Sequence, residues 1–160
     1  YVDRIKMNNI AQIANVLQSM ILTKDDKMVL TPTYHVFRMY NVHQDATFLP
    51  MDLKCNREIV RDDRIVPMVS ATASRDANGV IHISLSNVHL TDSQEIDINL
   101  DNFKVKSVTG EILTTKNIAD YNSFENPNAV APKAFNGAKI NKGALKVTLP
   151  AKSIVVLEVK

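Results

Sequence analysis

The chain has no tryptophan and only one cysteine, Cys55. A single thiol excludes an internal disulfide and any cysteine-based metal cluster, and it says little about compartment, because many exported enzymes also lack disulfides. Glycine is scarce, four in all, so a glycine-rich phosphate loop is absent. No apolar run approaches the roughly eighteen residues a spanning helix needs, and no signal-peptide pattern stands at Tyr1. The start Tyr1-Val2-Asp3-Arg4, without an initiator methionine, reads as an excised piece that has lost its original targeting signal, if it had one; the compartment stays open. Charge of one sign is also missing: 19 basic and 17 acidic side chains intermix to a net charge of +2. That balance leaves no electrostatic footprint for nucleic acid or an anionic membrane.

What is present changes character partway along. With 160 residues the chain suffices for one ordinary core, or for one domain plus a piece of another. The first 45 residues are helical or buried in pattern and residues 46–160 are rich in short strands, which predicts a boundary near 45. The run Met7 to Gln18 sets Asn8, Asn9, Gln12 and Asn15 among apolar residues. Buried amides without partners lose about 1–3 kcal/mol each, so this is an interior network or the wall of a polar pocket. Two readings of the run stand side by side. Met7, Ile10, Ala14, Leu17 and Ile21 have the spacing of a helical face, whereas Ile5 to Ala11 also suits a short buried strand ending at Gln12. Thr23 to Lys27 is a charged surface turn. Thr31-Pro32 places a capping threonine before proline at the first helical position, predicting a helix from Pro32 to about His43 with Val36, Phe37, Tyr40 and Met39 as its buried stripe.

Beyond Ala46 the grammar is that of an antiparallel sandwich. Phe48 to Leu53 is an extended crossing; Ile65 to Ser74 and Val80 to His89 form a hairpin about Asp76-Ala77-Asn78-Gly79. Ile81, Ile83 and Leu85 face one way, and His82, Ser84 and Ser86 the other. Gln94 to Leu100 alternates similarly, Phe103 to Lys106 and Glu111 to Leu113 flank an expected Thr109-Gly110 turn, and Leu145 to Leu149 and Ser153 to Val159 close the chain. Between Ala119 and Ile140 runs a long loop with two prolines, pinned by Tyr121, Phe124 or Val130 if by burial.

A search for chemistry is negative. His35 and His43 are eight apart, too far to share a metal from one helix, and His82 and His89 lie on opposite faces by parity. Ser70, Ser84 and Ser86 have no nucleophile-elbow sequence. The adjacent pairs Asp25-Asp26 and Asp62-Asp63 diverge into solvent rather than face each other across a cleft, as glycoside hydrolysis requires. The chain thus contains no complete catalytic site, and no metal or other cofactor is expected.

The run Asp3 to Gln18, with Ile21-Leu22-Thr23 and Thr31-Pro32-Thr33-Tyr34-His35-Val36-Phe37, resembles the end of the catalytic barrel in α-L-arabinofuranosidases of glycoside hydrolase family 51. Asn122 to Pro127 and Leu145 to Val159 are similar to that family's C-terminal domain. The resemblance implies residues 1–45 as a remnant of the last β/α unit of a (β/α)8 barrel and residues 46–160 as a mainly β, jelly-roll type antiparallel β-sandwich. It implies a retaining mechanism whose two glutamates lie upstream of Tyr1, and it aligns Ala11-Gln12 with the last barrel strand, placing Gln12 in the arabinofuranose pocket of the intact parent. Asn8, Asn9 and Asn15 then have two readings, local hydrogen bonding or substrate contact. The expected partners are the parent's catalytic barrel, an arabinose-containing polysaccharide or oligosaccharide reached through the parent, and a further copy of the chain in a homo-oligomer, with neither nucleic acid nor membrane. The alternative is a non-catalytic carbohydrate-binding or self-association module.

Overall fold

Side chains on a strand alternate between faces, and the fold follows where that alternation is strict. The computed structural model describes residues 7, 9–11, 13–16, 19–54, 58–61 and 64–160. These hold β1 (Ile21–Lys24), β2 (Lys27–Leu30), the helix α1 (Pro32–Tyr40) with a 3-10 turn at Asn41–His43, then β3 (Thr47–Phe48), β4 (Glu58–Arg61), β5 (Arg64–Pro67), β6 (Val69–Arg75) and β7 (Ile81–Asn87). After them come β8 (Gln94–Ile98), β9 (Val108–Thr114), β10 (Lys133–Ala134), β11 (Ala138–Asn141), β12 (Ala144–Leu149) and β13 (Ser153–Val159).

Six strands form one sheet in the order β10-β9-β13-β7-β6-β3, and three form a second in the order β11-β12-β8. All of these pairings are antiparallel. The core between the sheets takes Ile81, Ile83 and Leu85 from β7, Val155, Leu157 and Val159 from β13, and Ile112 from β9. Leu145, Val147 and Leu149 of β12 face them from the smaller sheet, with Ile96 and Ile98 of β8 at the margin. The result is the expected antiparallel β-sandwich.

The expected β6–β7 hairpin forms in full register from Val69↔Asn87 to Arg75↔Ile81. Its turn is set by Asp76, whose Oδ1 accepts the Asn78 and Val80 N–H at 2.9 Å each, and by Gly79 at φ 82°. A left-handed residue there costs glycine least.

Other expectations are corrected. Thr109-Gly110 is no turn but the early part of β9, paired with Glu158 and Leu157 of β13. A Cβ on Gly110 would stand 2.8 Å from Leu157 Cδ2 and 3.1 Å from the Val156 carbonyl. Glycine in this strand therefore marks close approach, the other meaning it has in sheets. Residues 23–27 are not all turn: β1 and β2 pair up to Lys24↔Lys27, and only Asp25-Asp26 reverses the chain, with Asp25 at φ 54°. The continuous helical reading across Met7 to Ile21 also fails where it can be seen. Residues 13–16 are bends and a bridge, and Ile21 opens β1. The long 119–140 loop contains β10 and the start of β11.

Helix α1 starts as its sequence predicts, with Thr31 Oγ1 accepting the Tyr34 N–H at 3.4 Å and proline in the first turn. It lies on the outer face of the six-stranded sheet, where Met39 packs with Leu113 of β9, Val156 of β13 and Val130, and Val36 and Tyr40 support the cluster. Phe37, expected in that stripe, is 47% exposed instead, and the buried helix positions are His35 and Met39.

Candidate functional site

Gln12 falls outside the described residues, as do Asn8 and Cys55. Directly after Gln12 the chain closes on itself: the Ile13 carbonyl accepts the N–H of Met20 and Ile21 at 3.0 and 3.1 Å. Asn15, at φ 55°, donates from Nδ2 to Thr23 Oγ1 at 2.8 Å and accepts the Thr23 N–H at 2.7 Å. Asn15 therefore serves local hydrogen bonding, which the short amide does well in a left-handed residue. Thr31 Oγ1 donates to the Ser19 carbonyl at 2.8 Å, so the helix cap also fastens the incoming loop.

A connected polar cluster lies where the turn after α1 meets β6 and β7. Alternation puts Ser70, Thr72 and Ser74 of β6 beside Ser86, Ser84 and His82 of β7 on the outer face. His43 enters this face with Nδ1 at 2.7 Å from Ser74 Oγ and Nε2 at 2.6 Å from Ser84 Oγ. A neutral imidazole suits both, donating from one nitrogen and accepting at the other. Burial, and after it the neighbouring His82, hold His43 below its ordinary pKa. His82 stands 3.3 Å from Asp76 Oδ2. Partial burial pushes the Asp76 carboxyl upward, but the Val80 N–H, the His82 ring and the Asn78 N–H together keep it below its usual value. Burial raises the Tyr40 phenol, against the opposing hydrogen bond with Ser84.

Serine, histidine and aspartate thus meet here without forming a nucleophilic site. Ser84 is 1% exposed, and the carboxylate orients His82 rather than the His43 that touches serine. A triad needs one imidazole between the two and an approach for substrate. The cluster is a fastening between layers.

Concave features also occur among the described residues. A groove of about 440 Å³ opens between the sheets beside β8, with Leu49, Ile83, Leu85 and Phe103 on its walls and Arg75 stacked 5.9 Å over the Phe103 ring. Its acids are rim groups: Asp97 and Asp101 are exposed, and the Asp52 side chain is 83% exposed beside Lys54. A glycosidase acid is raised by burial, so these carboxylates lack the environment the reaction uses. A cleft of about 310 Å³ between α1 and the sheet is crossed by the Arg38–Glu111 ion pair at 2.5 Å. Among the described residues no three histidine, cysteine, aspartate or glutamate side chains gather to hold a metal ion, and no helix is long and apolar enough to cross a membrane.

Sequence reasoning missed the most telling polar residue. Asn122, 3% exposed, donates to the Leu30 carbonyl at 2.8 Å and the Val130 carbonyl at 2.9 Å, and accepts the Val130 N–H at 2.7 Å. It ties the 119–131 loop to the end of β2. Val130 is buried as expected, whereas Tyr121 is 71% exposed and pins nothing. An asparagine whose partner is a carbonyl 92 positions away leaves no local pattern. The His43 fastening had a faint signal in the run of hydroxyls at alternate positions of β6 and β7, a polar face that needs a polar cover.

The chain matches the model of the α-L-arabinofuranosidase C-terminal domain over residues 1–153. It is 66% identical, over all of its 160 residues, to an intracellular exo-α-L-arabinofuranosidase of Bacteroides ovatus, and spans 31% of that protein's length. The crystal structure of the family GH51 arabinofuranosidase from Xanthomonas axonopodis pv. citri superposes with a TM-score of 0.93 at 44% identity, covering 99% of this chain and 32% of that one. An arabinose complex of the Thermotoga maritima α-L-arabinofuranosidase agrees in fold, with a TM-score of 0.79 at 24% identity over 93% of this chain and 33% of that one. The chain spans about a third of the relatives it matches. Matched by that family model over residues 1–153 and 66% identical along its whole length to an arabinofuranosidase, the chain belongs to the α-L-arabinofuranosidase C-terminal domain family.

Proposed function

We propose that the chain is the non-catalytic C-terminal part of a retaining α-L-arabinofuranosidase that releases terminal arabinofuranosyl groups from arabinoxylan or arabinan. In this reading residues 1–45 complete the last β/α unit of the catalytic barrel, residues 46–160 are the supporting sandwich, and Gln12 contributes its amide to the sugar pocket. One observation carries the reading: similarity to an arabinofuranosidase over 100% of this chain but 31% of the relative. The remaining two thirds must then supply both carboxylates, since a retaining glycosidase needs them about 5 Å apart across the scissile bond.

The fastenings support a division near residue 45. Hairpin β1–β2 and helix α1 are bound to the sandwich through a few definite points: Asn122 on Leu30, Arg38 on Glu111, Met39 in its cluster, and His43 on Ser74 and Ser84. A barrel seated on the sandwich through its last helix would use such a bracket, with the sugar pocket at the carboxyl ends of its strands.

The test is made in the longer chain that includes the upstream region. There Gln12→Ala lowers kcat/KM for an aryl α-L-arabinofuranoside by about tenfold to a hundredfold, the order of one lost hydrogen bond to substrate or nucleophile, with the unfolding midpoint unchanged. Undiminished kcat/KM removes Gln12 from the pocket; absence of any hydrolysis by the unaltered longer chain removes the assignment.

A further inference from the structure

The side of α1 turned from solvent carries a histidine at each end. His35, Met39 and His43 follow at four-residue intervals along the helix and the turn that continues it, a spacing that stacks side chains on one face. His35 is 7% and Met39 3% exposed. His43 sits between the hydroxyls of Ser74 and Ser84. Both ring nitrogens of His35 are buried without a hydrogen-bond partner among the described residues, its one ring contact being the edge of Tyr34 at 5.6 Å.

Among the described residues, the acids of the elements packed against this face are each engaged elsewhere. On β9, Glu111 is taken by Arg38 at 2.5 Å. On β13, Glu158 is taken by Lys160 at 2.6 Å. Asp76, after β6, is held by His82 of β7. Glu125 of the 119–131 loop lies in the field of Lys27 and Lys24, the cations of the β1–β2 hairpin. On the helix itself the neighbour is Arg38, a further cation. The helix C-terminus favours a cation at His43 by at most about 1 kcal/mol when exposed, and it works against burial beside a second imidazole.

We propose that the His35–Met39–His43 face is a proton-operated latch: protonation of the two imidazoles releases α1 and its turn from the outer sheet face while the two-layer core stays folded. The core survives because Val155, Leu157, Leu145 and Val147, each 0% exposed, close it from the other side of the sheet. The titration directions agree. Burial, then Arg38, lowers His35, and burial, then His82, lowers His43, both from an ordinary value of 6.5. A group whose folded pKa lies below its unfolded one contributes stability that is complete above the unfolded value and is lost as pH falls. Docking is therefore firm above about pH 6.5 and weakens below it. This inference stands whether or not the arabinofuranosidase reading holds.

Hydrogen–deuterium exchange of the 160-residue chain tests it, with rates corrected for intrinsic pH dependence. Between about pH 7.5 and about pH 5 the opening of peptides covering 32–43 rises by about tenfold, the most that one linked proton gives per unit of pH, reached between its folded and its unfolded pKa. Peptides of β7 and β13 stay within about twofold. In the His35→Gln, His43→Gln double variant the pH dependence of 32–43 disappears. Opening that does not change with pH, that spreads equally to β7 and β13, or that persists in the double variant overturns the latch. Should the variant not fold, imidazole titration of the unaltered chain by NMR decides: both rings below 6.5, with α1 resonances shifting alongside, support the latch, and either ring at or above it overturns it.

Discussion

Asn122 fixes two distant segments at once, because three backbone groups converge on one buried amide. Asn122→Ala is expected to cost about 2–3 kcal/mol in urea unfolding, since it removes the bonds and strands buried carbonyls. Asn122→Asp is expected to cost more, as a carboxylate cannot donate to the two carbonyls and meets them with like charge. Gly110 is the other sensitive position. Gly110→Ala drives a methyl against Leu157 Cδ2 and the Val156 carbonyl, an overpacking cost of about 1–3 kcal/mol, read as a lower unfolding midpoint. Neither residue was legible from the sequence for its true reason. Asn122 sits in a stretch whose neighbours suggest only a loop, and Thr109-Gly110 looks like a turn until Leu157 is known to cross beside it. By contrast, Asp76 to Gly79 was legible because everything that shapes that turn lies within five residues.

Elements repeat the same lesson at greater length. The helix was readable at its start, where Thr31 caps and Pro32 begins, both local effects. Thr31→Ala is expected to cost about 1–2 kcal/mol, the upper end because Thr31 Oγ1 also holds the Ser19 carbonyl; thermal unfolding checks it. The helix's buried face was read half correctly. Val36, Met39 and Tyr40 do pack on the sheet, but Phe37 is exposed and polar histidines take positions that hydrophobicity assigns to larger apolar residues. Strands β7, β8 and β12 were legible from strict alternation. Their partners were not: β12 and β13 follow each other in sequence yet lie in opposite sheets, which only the Pro150-to-Lys152 connection crossing between layers decides. The Arg38–Glu111 pair, with side chains 44% and 49% exposed, is expected to add less than about 1 kcal/mol by double-mutant cycle.

For the whole molecule, an unequal pair of layers is the main architectural fact: six strands against three, with α1 and the β1–β2 hairpin on the outer side of the larger one. That asymmetry suits a body that braces something else. A self-sufficient glycosidase would need two carboxylates in protected surroundings, and the acids beside the inter-sheet groove are exposed rim groups. The chain's length relative to its relatives points the same way, since the matched region is 31% of the Bacteroides ovatus protein. The most direct measurement is the hydrolysis of an aryl α-L-arabinofuranoside by the purified 160-residue chain, folded by circular dichroism and free of host enzyme. The account predicts release of the aryl alcohol no faster than in buffer alone, and turnover by the folded chain, abolished when Asp97 and Asp101 are replaced by asparagine, would contradict it.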